Sequence, residues 1–230
     1  MSVFFRRRGD PPVIFDAIFA NNSWKKIIFA CQSGSVPDSW VVGDSKSMTI
    51  NGADYQIDII GKNHDTYTAG GTAPLTFQMH DCYATAYPMN STNTNVGGWT
   101  DCAMRNTHLP AILALMPTEV QNGIREVNKR TSAGNESKKI KTTADKLFLL
   151  SEVETYPSIN LSVSGEGRRY EYYREVFTSS VKKINGENVS HWTRSPVRVS
   201  GMTFVFVYSG GGASIGNAYE RYYIAPAFCF

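Results

Sequence analysis

The period of the apolar positions changes several times along this chain. Trp24, Ile27, Ile28 and Cys31 recur at i, i+3, i+4 and i+7, a spacing that gathers side chains on one face of a helix. Ser23 precedes the run as a cap and Gly34 follows it as a stop. The pattern predicts a short helix within residues 23–36 whose apolar face needs a partner. After Pro37 the character turns to strand: residues 47–51 and 55–60 flank Asn51-Gly52-Ala53-Asp54, a hairpin signal, and residues 75–79 read as a further strand. Residues 63–72 and 90–98, rich in Asn, Thr and Gly, read as loops.

A helical stretch is predicted over residues 99–106 and 110–116, with Pro110 in a first-turn position, and a further short helix over 117–124 closed by Gly123. Residues 125–131 and 146–150 read as strands around a polar loop, and 170–176 as a short helix. In the last forty residues, clusters of Gly, Ser and Asn alternate with strand-like runs at 192–194, 202–208 and 222–230. In Phe204-Val205-Phe206-Val207-Tyr208 a strand places Val205 and Val207 on one face, expected to meet the core, and presents the three rings on the other. No solenoid period appears. The order β-rich, helical, β-rich predicts an α+β domain with short helices and small antiparallel sheets rather than an alternating parallel-sheet fold. The division expected is an arm over 1–22, the short helix over 23–36 and one domain over 37–230.

Hydrophobic residues make up 42% of the chain and charged residues 19%, which suits a folded domain and not a disordered one. The net charge of +3 is carried in scattered clusters, Arg6-Arg7-Arg8 and Lys138, Lys139 and Lys141. Without a basic stripe interleaved with stacking aromatics, nucleic acid is not an expected partner. No apolar run reaches membrane-spanning length, so no membrane insertion is expected. Asp10, Pro11, Pro12 and Asp16 interrupt the N-terminal apolar residues, which predicts no signal peptide. The N-x-S/T triplets at Asn21, Asn90, Asn135, Asn160 and Asn188 carry no weight without a secretory route. Cys31, Cys82, Cys102 and Cys229 never form a C-x-x-C pair and read as small buried hydrophobes.

Candidate chemistry is sparse. His64-Asp65 and His80-Asp81 pair a possible base with a carboxylate, but adjacent residues on a strand point to opposite faces, and a structural or loop-capping role is the simpler reading. Cys102 with His108, Cys82 with His80, and Glu152 with Glu154 lack the surroundings that thiol or glycosidase chemistry needs. Gly210-Gly211-Gly212 lacks the lysine and following helix of a phosphate loop. No catalytic residue, metal site or cofactor is expected. The stretch from Ser214 to Tyr223 instead crowds Tyr, Arg, Ser, Gly and Asn together, a composition that gives contact area at low ordering cost, as in a paratope.

His191-Trp192-Thr193-Arg194-Ser195-Pro196 and the ending Ile224-Ala225-Pro226-Ala227-Phe228-Cys229-Phe230 match a bacterial and phage domain with a W-x-R-S-P motif and a terminal A-P-A-F motif. Residues 59–65 (IIGKNHD), Met89-Asn90-Ser91, 128–134 (NKRTSAG) and 145–152 (DKLFLLSE) match the same domain. Over residues 38–230 the chain resembles the C-type-lectin-like variable proteins of diversity-generating retroelements, which include phage tropism determinants. That resemblance implies a C-type-lectin-like fold and a C-terminal segment, within 192–230, rewritten at adenine-containing codons to vary ligand recognition.

Carried over residue by residue, Trp192, Arg194, Pro196, Pro226 and Phe228 are scaffold. Val199, Met202, Phe206, Tyr208, Ser214, Ile215, Asn217, Tyr219, Glu220 and Tyr222 form the ligand face. The expected partner is a host cell-surface protein or glycan. The calcium-lectin signatures E-P-N and W-N-D are missing. Residues 4–12 resemble the start of some phage or prophage tail proteins, which implies that residues 1–22 attach the protein to other tail proteins. A homo-oligomer, a trimer among the options, made in the bacterial cytoplasm and carried on the virion tail, completes the expectation. A structural tail or baseplate component using the domain only for subunit contacts is the rival reading.

Overall fold

Ser23 accepts a hydrogen bond from the Lys26 backbone N–H, which caps α1 (Trp24–Ser33), and Gly34 ends it in the left-handed conformation (φ 68°) that glycine adopts without strain. The computed structural model describes residues 13–174 and 180–230 of the chain. Asn51 and Gly52, both at positive φ, turn β1 (Ser45–Ile50) into β2 (Ala53–Lys62). The turn is tighter, and the second strand longer, than the alternation of apolar residues suggested. Then follow β3 (Leu75–Met79), β4 (Tyr83–Tyr87), α2 (Leu109–Leu113), α3 (Thr118–Gly123), β5 (Val127–Ser132), β6 (Ile140–Asp145), β7 (Leu147–Phe148), α4 (Glu152–Thr155), β8 (Lys182–Ile184) and β9 (Glu187–Val189). The chain ends with β10 (His191–Pro196), β11 (Thr203–Val207), β12 (Ala213–Asn217), β13 (Tyr222–Ile224) and β14 (Ala227–Cys229).

Two five-stranded sheets organise these elements, in the orders β1-β2-β3-β14-β7 and β12-β11-β10-β13-β4, with the hairpins β5-β6 and β8-β9 beside them. The first large sheet is antiparallel throughout; in the second only β10 and β13 run parallel. The chain passes from one sheet to the other four times, between β3 and β4, between β4 and β7, between β7 and β10, and between β13 and β14, the last time across Ala225-Pro226. The protein is therefore α+β, mostly sheet with a few short helices, as the element order predicted.

The core gathers rings from both ends of the chain. Phe77 of β3 stacks on Phe228 at 5.5 Å and on Phe19 at 6.2 Å, while Trp24 of α1 meets both Phe77 and Phe230 edge-on. Phe19 is 2% exposed, and the Trp40 indole donates to the Asp16 carbonyl at 3.0 Å. Residues 13–22, expected to belong to an arm that attaches the protein elsewhere, are thus tied into the domain; residues 1–12 lie outside the described residues. Each fully buried ring contributes about 1.5–3 kcal/mol.

Several elements differ from expectation. The helix predicted over 99–106 begins as a wide π-type turn at Met104–His108 and passes directly into α2. The polar loop expected between residues 131 and 146 contains β6, whose Thr142 and Ala144 face solvent on one side while Thr143 and Asp145 turn inward on the other. β4, β8, β9 and β12 are strands that the apolar pattern does not predict. Of the helix predicted over 170–176, the described part is a single 3-10 turn, Glu171–Tyr173; residues 175 and 176 lie outside the described residues.

Candidate functional site

The residues that carry the sequence resemblance are almost all inside. Trp192 is 2% exposed; its ring meets Phe204, Phe206 and Tyr222 edge-on and its indole donates to the Tyr87 carbonyl at 2.9 Å. Pro196, Pro226 and Phe228 are buried as well. Arg194, fully buried, donates to the Glu154 carboxylate with two nitrogens, to the Thr131 hydroxyl, and to the carbonyls of Leu149, Arg130 and Glu166. Six acceptors on four separate stretches of chain are held by one side chain.

Arg194 belongs to a buried charge network. Lys129 of β5 reaches Asp65 and Glu154, each at 2.8 Å, and the Tyr170 hydroxyl at 3.0 Å. Burial raises the affinity of Asp65 and Glu154 for protons, but the opposing cations, Lys129 for the first and Arg194 with Lys129 for the second, outweigh it and hold both carboxyls below their ordinary values. Glu166 is the third carboxyl beside two cations. Burial pushes it up to about 7, against the hydrogen bonds it receives from the Ser195 hydroxyl and the Ser132 N–H. Glu152, also buried, is served by the backbone N–H groups of Asn160, Leu161 and Ser162 and by the Ser162 hydroxyl. A cleft of about 330 Å³ lies against His64, Lys129 and Arg168. The Lys129 ammonium is buried, donates to Asp65 and Tyr170 and is paired with Glu154, so it is committed to the interior and not to the cleft.

This scaffold holds a surface made by residues 197–222 and the loop at 90–98. Asn95, fully buried, donates to the carbonyls of Ser200 and Thr203, each at 2.7 Å, and accepts from the Asn135 N–H at 2.7 Å. Its own N–H and carbonyl bind the Gly201 carbonyl and the Gly98 N–H. Gly134 passes so close that a Cβ there would sit 1.8 Å from the Asn95 carbonyl oxygen, and its φ of 69° suits glycine. Asn93 donates to the Asn217 side chain and accepts from the Ala218 N–H, while Asn90 ties Thr94, Ala103 and Ala218 together. Glu220 accepts from the Asn217 N–H and from the Tyr222 hydroxyl.

On that frame sit exposed side chains. Eleven large apolar residues are exposed among the described residues, and five of them, Val199, Met202, Tyr208, Ile215 and Tyr219, fall within residues 199–219. Val96, on the loop that buttresses this segment, is a sixth. Ser214, Asn217, Glu220 and Tyr222 are half-buried beside them.

Phe206 corrects the expected ligand face. It is 8% exposed, stacked on Tyr222 at 4.2 Å and edge-on to Trp192, and Phe204 beside it is fully buried. Both faces of β11 are covered: Val205 and Val207 are buried on one side, and the rings on the other join the main aromatic core. Trp192, on the neighbouring strand opposite Phe206, closes the ring side. Gly216 makes room for this packing, since a Cβ there would stand 2.7 Å from the Tyr222 ring and 2.9 Å from Trp192.

The remaining pairs resolve into structural contacts. Asp65 serves the buried network. His80 pairs with Asp58 on β2 at 2.7 Å, not with its neighbour Asp81, beside a groove of about 370 Å³. The bond to Asp58 raises the His80 pKa against its partial burial. All four cysteines are free and buried, and burial pushes Cys31, Cys82 and Cys102 up to about 12, which keeps them thiols and not nucleophilic thiolates. Among the described residues no group of three or more His, Cys, Asp and Glu side chains is placed to hold a metal, and no helix is long and apolar enough to cross a membrane.

Composition signalled the exposed Tyr and Ile positions, but not the buttress. Asn93 and Asn95 lie in a stretch that reads as a polar loop, and nothing local marks Asn95 as the side chain through which three loops are joined.

Residues 75–230 match the model of a family described as a domain of unknown function (DUF6273), more than half of the chain, so the protein belongs to that family. No curated protein and no solved structure matches it.

Proposed function

We propose that the protein is a binding protein that presents residues 199–222, braced by the loop at 90–98, to a molecule on a host cell surface. One observation carries the reading: among the described residues, the segment richest in exposed large apolar side chains is the one that the buried Asn95 holds in place. Monomeric surfaces scatter such residues singly, and a cluster marks an interaction site. A rigid frame under the cluster lowers the ordering cost of binding. The ligand residues on this reading are Val199, Met202, Tyr208, Ser214, Ile215, Asn217, Tyr219, Glu220 and Tyr222, with Phe206 as support beneath Tyr222. The resemblance to retroelement variable proteins supports a C-type-lectin-like fold and a place on a phage or prophage tail, in a homo-oligomer whose N-terminal residues meet other tail proteins.

Sequencing this locus across a population of the source bacterium and its phages tests the diversified form of this reading. The expected result is substitution concentrated at the exposed positions within 199–222, with Trp192, Arg194, Pro196, Pro226 and Phe228 constant. Variation spread evenly along the chain, or an invariant segment, would overturn it.

A further inference from the structure

β12 is an edge of its sheet, paired on one side with β11 and on the other with no strand among the described residues. The turn before it sets which of its peptide groups are free. The Tyr208 N–H donates to the Gly212 carbonyl at 2.9 Å and the Gly211 N–H to the Tyr208 carbonyl at 2.7 Å. Hydrogen-bonded pairs alternate in an antiparallel ladder. Counting from Tyr208 and Gly212 in the observed register, Phe206 with Ser214 and Phe204 with Gly216 are bonded pairs, and the N–H and C=O groups of Ala213 and Ile215 point away from β11. Asn217 is next in the outward set, and its N–H is indeed taken by Glu220, at 2.9 Å. The free edge therefore runs from Ala213 to Ile215 and is closed by Glu220.

Natural proteins guard such edges with lysine, proline or a bulge. This edge has none of them: the β11–β12 register is continuous, and residues 199–219 contain no Asp, Glu, Lys, Arg, His or Pro. In the middle stands Ile215, 52% exposed. We propose that the outer edge of β12 is a strand-addition site for an extended, uncharged segment of a partner polypeptide. The alternation of outward N–H and C=O groups matches that of another extended backbone. A charged segment would lose hydration against residues 213–215, which carry no counter-charge, Glu220 being bonded to the Asn217 N–H beyond them. A second copy of the chain offers only the same three-residue edge, which buries well short of the roughly 800 Å² per partner of a stable interface. The proposal does not depend on the host-surface reading, because it uses the backbone of the edge and not the side chains of Val199, Met202 or Tyr219.

The test selects a displayed random-peptide library on the full-length protein and measures the selected peptides against wild type and Ile215→Pro. Proline there removes an outward N–H and leaves the bonds to β11 in place. Expected are uncharged peptides that bind Ile215→Pro about tenfold more weakly than wild type, with Met202→Ala/Tyr219→Ala unchanged. In case Ile215→Pro fails to fold, alternate residues of the same peptides are N-methylated and binding to wild type is measured. Methylation in one parity should abolish binding and in the other leave it intact. The proposal is overturned by no selected peptide, by equal effects in both parities, or by binding that Ile215→Pro leaves unchanged. It is equally overturned by self-association of the wild-type protein that Ile215→Pro removes, which would assign the edge to a second copy.

Discussion

Arg194 commits a full positive charge to the interior and is tolerated there because Glu154 and four further acceptors surround it. Its replacement by alanine leaves Glu154 with Lys129 alone, and removing one partner of a buried pair typically costs about 3–5 kcal/mol. Urea unfolding of Arg194→Ala should show that loss; a change below about 1 kcal/mol would mean that the network is not what holds these loops. Glu166 supplies a pH signature of the opposite sign to Asp65 and Glu154. Its folded-state value, raised from 4.5 to about 7, means that its contribution is complete below 4.5 and is lost as pH rises through 7. Asp65 and Glu154, held below their ordinary values, contribute above those values and lose their share as pH falls. Wild type should therefore lose stability between pH 5 and pH 8, and Glu166→Gln should flatten that decline. Parallel profiles would show that Glu166 titrates normally. That Arg194 is scaffold was legible from the motif around it; its partners were not, because Glu154 and Thr131 lie 40 and 63 residues away and no local pattern pairs them.

At the scale of elements, the α1 helix and the β1–β2 hairpin were legible because their caps and turns are local: Ser23, Gly34, Asn51 and Gly52 do in the structure what their types suggest. β12 was not, since Ala213, Ser214 and Gly216 are poor strand formers and owe their conformation to the register with β11. The same reasoning covers the error at Phe206. Alternation along β11 separated its two faces correctly, but only the neighbouring strand shows that Trp192 and Tyr222 cover the ring side. The loop at 90–98 is the element on which the candidate surface depends. Asn95→Ala leaves the Ser200 and Thr203 carbonyls without that donor, at about 1–3 kcal/mol. Hydrogen exchange should quicken across residues 197–203 and at residue 135 more than in the sheet of β1–β3. Unchanged exchange in that segment would show that Asn95 does not brace it.

For the molecule as a whole, the α+β class followed from the order of element types, whereas the way two sheets share the C-terminal segment did not. β13 and β14, separated by Ala225 and Pro226, belong to different sheets, so the final residues close the core while the residues just before them are displayed. On the proposed reading, recognition and stability are therefore separable by substitution. The most direct test is the binding of purified protein to cells of its bacterial host, measured by flow cytometry for wild type and for Met202→Ala/Ile215→Ala/Tyr219→Ala. All three side chains are about half exposed. The account predicts saturable binding by wild type, weakened about tenfold or more in the variant, with the melting temperature close to unchanged. Unaltered binding by the variant, or loss of its fold, would contradict the assignment of this face.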